Sequence, residues 1–335
     1  LCTTNLPTPT ITNGANYFAA SLYTGTGAAQ SIVNSGNNTA AISFQPDLVW
    51  GKQRNGTSSN VLTDSVRGTN YQLSSNLTNA DATATDVVTA FNSNGFSVGA
   101  SVGFNMNQSG STLVAWQWKE SVTAGFDIVT FTRDSSGTQN VSHNLGVKPA
   151  MVIIKARSTT SNWNVWHQSM DASPNNYYML LESTAAKAAS TAWCVPSSTN
   201  VGVTNFSNGV TAVMYAFAEV AGYSAFGSYT GNGSSDGPFV FTGHRPRYVL
   251  IKRTDSANWW IIYDTSRNTY NVQSNYLQAE SSNSENNSGA SPVSYLDTLS
   301  NGFKLRDSGI AYNASGGTYI YAAFAENPFK YSNAR

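Results

Sequence analysis

GYSAFGSYTG at residues 222–231 is an alternating apolar stretch ending on a Tyr-Thr-Gly turn, and the chain writes it twice more. ANYFAASLYTG (15–25) and GFDIVTFTR (125–133) are its counterparts, with Tyr23-Thr24-Gly25 and Phe131-Thr132-Arg133 aligned on Tyr229-Thr230-Gly231. Some twenty residues after each comes a second shared phrase, Pro-x-x-Val-x-x-Lys: Pro46 to Lys52, Pro149 to Lys155 and Pro246 to Lys252. Each unit closes on a strand-like run and an acid, TLVAWQWKE to Glu120, TAVMYAFAE to Glu219 and TYIYAAFAE to Glu326. A self-similar period defines the architecture before any single element does. The spacing gives three tandem units, at 16–121, 122–220 and 221–329, with 1–15 as a linker or arm and 330–335 as a tail.

Period and punctuation set the fold class. Short runs rich in Val, Ile, Phe, Tyr, Trp and Thr alternate with Asn-Gly, Ser-Gly and Gly-Asn-Gly turns, the pattern of antiparallel sandwiches or barrels. The sequence predicts an all-β protein of three tandem antiparallel β-sandwich domains, jelly-roll-like and related by internal repeat, with about seven strands each. Residues 75–91 and 180–193 carry the only thin helical signal, and the polar stretch 279–292 reads as a surface loop.

Composition excludes several functions. The 18 Lys and Arg balance 18 Asp and Glu, and charged residues are only 11% of the chain, so no net field draws it toward nucleic acid or an anionic membrane. No apolar run reaches membrane-spanning length. Ser, Thr and Asn number 44, 34 and 36, yet 40% apolar residues supply ample core, which argues against disorder. Cys2 and Cys194 read as two unrelated thiols, since one distant pair makes neither a disulfide framework nor a zinc site. The opening at Leu1 suggests a segment of a longer polypeptide.

The search for chemistry finds no nucleophile elbow, phosphate loop, HExxH, CxxC or calcium loop. The expectation is a chain without catalytic residues, cofactor or metal; His143 and His244 read as loop residues, and no motif singles out a carboxylate pair for glycoside hydrolysis. Units one and three share Lys52, Asp64, Arg67 and Lys252, Asp264, Arg267, where unit two has Lys155, His167 and Met170. These sets read as structural anchors in a cross-strand ion-pair network, or as a polar sugar-binding cluster used twice and lost in unit two. Trp116 and Trp118, two apart in a strand, read as core. Trp163 and Trp259 each follow an Asn after a polar loop; each either caps the core at a strand start or stacks half-exposed on a sugar ring. Arg54 and Arg253, close behind the repeat lysines, complete the binding candidates.

The long phrases GSYTGNGSSDGPFVFTGHRPRYVLIKRTDSANWWIIYDTSRN and LSNGFKL, with NASGGTYIYAAFAENPF, resemble a domain of unknown function near the C-termini of bacteriophage virion proteins, especially tail-fibre-like proteins of marine phages. The first unit, through FQPDLVWGKQRNG and VLTDSVRGTNYQLSSNLT, is similar to the same family, and LCTTNLPTP resembles the join after a SPRY-like, concanavalin-type domain. The resemblance implies a virion structural or adhesive module at the particle surface, a distal tail-fibre part presenting loops to a host glycan or protein. It implies other virion proteins and the chain itself as partners, as a homotrimer, although three repeats in one chain can imitate threefold symmetry alone. An architectural head-fibre or decoration role, and a polysaccharide depolymerase, are the other readings.

Overall fold

The computed structural model describes residues 8–34, 43–100, 105–287, 295–328 and 330; Cys2 lies outside them. The described residues form 27 strands, nine in each unit rather than seven. Unit one has β1 (Phe18–Thr24), β2 (Gln30–Val33), β3 (Leu48–Gln53), β4 (Val61–Asp64), β5 (Tyr71–Ser74), β6 (Ala82–Thr83), β7 (Val88–Asn92), β8 (Gly95–Val98) and β9 (Thr112–Trp118). Unit two has β10 (Phe126–Thr132), β11 (Gln139–Ser142), β12 (Met151–Ala156), β13 (Trp163–His167), β14 (Tyr177–Leu180), β15 (Ala188–Ala189), β16 (Cys194–Pro196), β17 (Asn200–Val203) and β18 (Thr211–Phe217). Unit three has β19 (Ser224–Thr230), β20 (Phe239–Phe241), β21 (His244–Arg253), β22 (Trp260–Asp264), β23 (Asn275–Gln278), β24 (Asn286–Asn287), β25 (Leu296–Leu299), β26 (Gly302–Leu305) and β27 (Thr318–Pro328).

Every unit is built the same way. A six-stranded antiparallel sheet, ordered β1-β9-β3-β4-β5-β6 in unit one, lies over a three-stranded sheet, β2-β8-β7. Units two and three repeat both orders. The registers coincide as well: Phe18 faces Trp118, Phe126 faces Phe217, and Ser224 faces Phe324. The protein is thus all-β, with three repeated antiparallel sandwiches.

The continuous apolar runs after each repeat proline have a physical cause. All six residues of β3, and all six of β12, are buried, so these strands are covered on both faces. In β3, Val49 turns toward the small sheet of its own unit and packs with Ile32, Phe96 and Val98. Its neighbours Leu48 and Trp50 turn the other way, into a core that draws on all three units. Trp118, Phe217 and Phe324, equivalent last residues of β9, β18 and the matching register of β27, form a triangle with ring centroids 5.7, 5.8 and 6.4 Å apart. A small apolar void of about 30 Å³ beside them is lined by Leu48, Met151 and Tyr248, again one from each unit. The three sandwiches therefore form a ring around a shared pseudo-threefold core.

Several expectations change. The stretches 75–91 and 180–193 hold short strands instead of helix: Ala82–Thr83 and Ala188–Ala189 pair onto β5 and β14 at the edge of the large sheets, so sheet pairing overrides the weak helical preference of the alanines. The described part of the 1–15 arm is packed: Ile11 joins the shared core, and Gly14–Asn16 forms a 3-10 turn capped by Asn13. A Cβ on Gly14 would sit 2.4 Å from the Ala325 carbonyl oxygen, so this turn lies directly on the end of unit three. His244 is a strand residue, fully buried at the start of β21, which runs past Pro246 through a register shift that relieves the proline's missing donor. His143 is buried as well, its Nε2 3.2 Å from the Ser197 carbonyl. Cys194 is buried in β16, which pushes its thiol well above the usual range.

Candidate functional site

The seams between units are where the sequence's anchor residues meet. Three equivalent hydrogen bonds close the ring: Ser58 N–H to Ser282 O at 2.9 Å, Ser161 N–H to Thr78 O at 2.8 Å, and Asn258 N–H to Thr184 O at 2.7 Å. A second set runs back, Glu285 N–H to Arg54 O, Asp81 N–H to Arg157 O and Lys187 N–H to Thr254 O. Unit one thus joins three, two joins one, and three joins two.

Trp163 is completely buried, and its indole Nε1 donates to the Ser74 and Leu77 carbonyls of unit one. The stacking role held open for it gives way to that of a seam latch. Its structural equivalent is Trp260, whose Nε1 donates to Leu180 O at 2.8 Å, and Asn60 completes the set with Nδ2 to Gln278 O. Each stands eight residues after its repeat lysine, and aligning on those lysines, rather than on the preceding Asn, would have found the match.

The anchor lysines leave the expected ion-pair network. Lys52 Nζ donates to the carbonyls of Ser58 and, across the seam, Ser282, and Lys252 Nζ does the same with Asn258 and Thr184. Lys155 caps its own loop through Ala156 O and Ser161 Oγ. Burial lowers all three ammoniums to about 8.

Asp and Arg do form the network, and it crosses the seams. Arg67 holds Asp64 at 2.5 Å and Asp81 at 2.8 Å, and Asp81 reaches Arg157 of unit two at 2.7 Å. Asp264, Arg267, Glu285 and Arg54 repeat the chain between units three and one. Burial works against the Asp264 charge, but Arg267 beside it holds the carboxyl below the usual range. Arg54 is therefore a seam residue. The first half of the expected loop 279–292 is the clasp that receives it, while 288–292 lie outside the described residues.

The seam between units two and three keeps the backbone, lysine and tryptophan contacts but replaces each member of this charged chain. His167, Met170, Lys187 and Thr254 stand where the other seams carry Asp, Arg, an acid and Arg. The cause lies across the seam: Asp64 accepts from Tyr215 Oη at 2.8 Å and Asp264 from Trp116 Nε1 at 3.0 Å, but the equivalent third residue is Ala322, which offers no donor. His167 instead donates from Nε2 to the Tyr321 carbonyl at 3.1 Å and accepts the Ser169 N–H at Nδ1. Burial lowers this imidazole to about 4, keeping it neutral.

This same seam carries two surface clefts. One, of about 350 Å³, is lined by Trp259, Glu182, Glu280, Gln278, Thr184 and Asn283, among others. Trp259 is 41% exposed and stacks on Tyr276 with centroids 6.2 Å apart at 25°. The equivalent positions in the other units hold Ser59 and Asn162, so this platform belongs to unit three. Glu182 and Glu280 accept the backbone N–H of Trp163 and Trp260, each at 3.0 Å, and burial raises Glu280 to about 7. Arg253 does not line this cleft; it is paired with Asp255 at 2.9 Å.

Fold and site together define a pseudo-threefold ring of nine-stranded β-sandwiches whose divergent seam carries polar clefts, one of them with a half-exposed tryptophan. The chain belongs to the family described as a domain of unknown function (DUF7483), whose model matches residues 13–328 and so takes in all three units. No curated protein and no solved structure matches the chain.

Proposed function

We propose that the protein is a non-enzymatic adhesive module of a bacteriophage virion, a distal tail-fibre part that holds host-surface glycan in the cleft beside Trp259. The observation that carries the reading is the half-exposed Trp259 ring at the rim of a polar cleft. An indole face covers the C–H face of a pyranose, while neighbouring amide and carboxylate groups meet its hydroxyls. Glu182 and Glu280 each hold a strand-start N–H, as Asn76 does for Asn60 in unit one, which supports a positioning role for them. The resemblance of the repeat motifs to fibre proteins supports the virion setting.

Binding of the purified chain to intact bacteria and to their extracted surface polysaccharide tests the reading. Saturable binding that Trp259→Ala abolishes is the expected result. Binding unchanged in that variant, or absent from every strain tried, overturns it.

A further inference from the structure

A second groove opens on the seam between units two and three, apart from the Trp259 cleft and about 480 Å³ in volume. Asp171, Lys187, Ser228, Thr230, Thr254 and Thr318 line it. Its origin is legible from the other two seams. There an arginine, Arg54 or Arg157, reaches across to Glu285 or Asp81. Here the same two positions are Thr254 and Lys187; the short threonine does not span the gap, and Lys187 turns back to Asp171 at 2.6 Å.

We propose that this groove is a second binding site, taking a neutral saccharide through a pair of adjacent hydroxyls. The site goes beyond the Trp259 reading and does not depend on it. Lys187 Nζ donates to Asp171 Oδ2 and to Met170 O and lies 4.9 Å from the Tyr177 ring centroid; a ligand hydroxyl in the groove competes with that ring for the third ammonium proton and is the better acceptor. The partly exposed Asp171 carboxylate accepts from the neighbouring hydroxyl, so one vicinal diol bridges the ion pair without adding charge. Ser228 and Thr230, exposed on alternate positions of β19, present hydroxyls to the rest of the ring, and Thr318 opposite them, bonded to the Thr254 hydroxyl at 2.7 Å, keeps a lone pair to accept from it.

The test rebuilds the arrangement of the other seams. Amide NMR spectra of the full chain are recorded with glucose, galactose, mannose and N-acetylglucosamine in turn, with glycerol and glucuronate as controls. At least one of the four sugars is expected to shift the amides of Lys187, Thr230, Thr254 and Thr318, in the parent and in Trp259→Ala alike. The double variant Thr254→Arg/Lys187→Glu restores the cross-seam pair and fills the groove, and the response is expected to vanish while the fold persists. Thr254→Gln fills the space without charge and serves if the double variant does not fold. A response that survives these fillings, one confined to glucuronate, one matched by glycerol, or no response to any of the four sugars overturns the proposal. Loss of cell binding in Trp259→Ala with this response intact separates the fate of this site from that of the first cleft.

Discussion

Tyr215 in unit two donates its hydroxyl to Asp64 in unit one at 2.8 Å, joining residues 151 positions apart inside the shared core. Asp64 also holds Arg67, so the tyrosine completes a buried charged cluster rather than an isolated bond. Tyr215→Phe removes one charge-assisted hydrogen bond and is expected to lower unfolding stability by about 1–3 kcal/mol. Asp64→Asn leaves Arg67 poorly compensated and is expected to cost more, about 3–5 kcal/mol. Urea unfolding of both variants against the parent measures the difference.

His167 and Ala322 are matched across the divergent seam, and this predicts which exchange fails. His167→Asp sets a buried carboxylate against the Tyr321 carbonyl with no side-chain donor across the seam, and is expected to cost at least about 3 kcal/mol. Adding Met170→Arg supplies the guanidinium present in the other two units and recovers part of that loss. Thermal unfolding of the single and double variants reads the coupling.

Trp163 and Trp259 separate stability from recognition. Trp163→Ala deletes a fully buried ring and its two cross-seam hydrogen bonds, with an expected loss of about 3–5 kcal/mol. Trp259→Ala is expected to stay within about 1 kcal/mol of the parent while losing polysaccharide binding. Paired calorimetry and cell-binding assays distinguish the two.

Acid sensitivity follows from the buried imidazoles. Burial lowers His167 to about 4 and His244 to about 3, below the ordinary 6.5. Between pH 6.5 and 4 the unfolded chain therefore binds more protons at these sites, and stability falls as pH falls. Glu280 and Glu120, raised to about 7 chiefly by burial, act with the opposite sign over pH 7 to 4.5. His167→Gln is expected to remove up to about 3 kcal/mol of the histidine contribution, flattening the loss between pH 6.5 and 4 in urea titrations.

The N-terminal turn packs tightly on the end of unit three. Gly14→Val drives a side chain into the Ala325 carbonyl and is expected to destabilise by about 1–3 kcal/mol or more, read as a lowered midpoint in thermal unfolding.

The three openings ending on Thr24, Thr132 and Thr230, the prolines at 46, 149 and 246, and the divergence at His167 and Met170 were all visible in the sequence, because a duplicated unit preserves spacing and strands preserve alternation. From these the all-β class and the three repeats follow. Local pattern does not record what covers a strand's second face, so the linear reading leaves the three units as tandem sandwiches. Only the tertiary structure shows Leu48, Met151 and Tyr248 meeting in one core, Trp163 and Trp260 latching neighbouring units, and Thr254 opening a groove where Arg54 and Arg157 close one. Those relations join residues far apart in the chain, and their chemistry depends on the partner across the seam: an aspartate where Tyr215 or Trp116 donates, a histidine where Ala322 cannot.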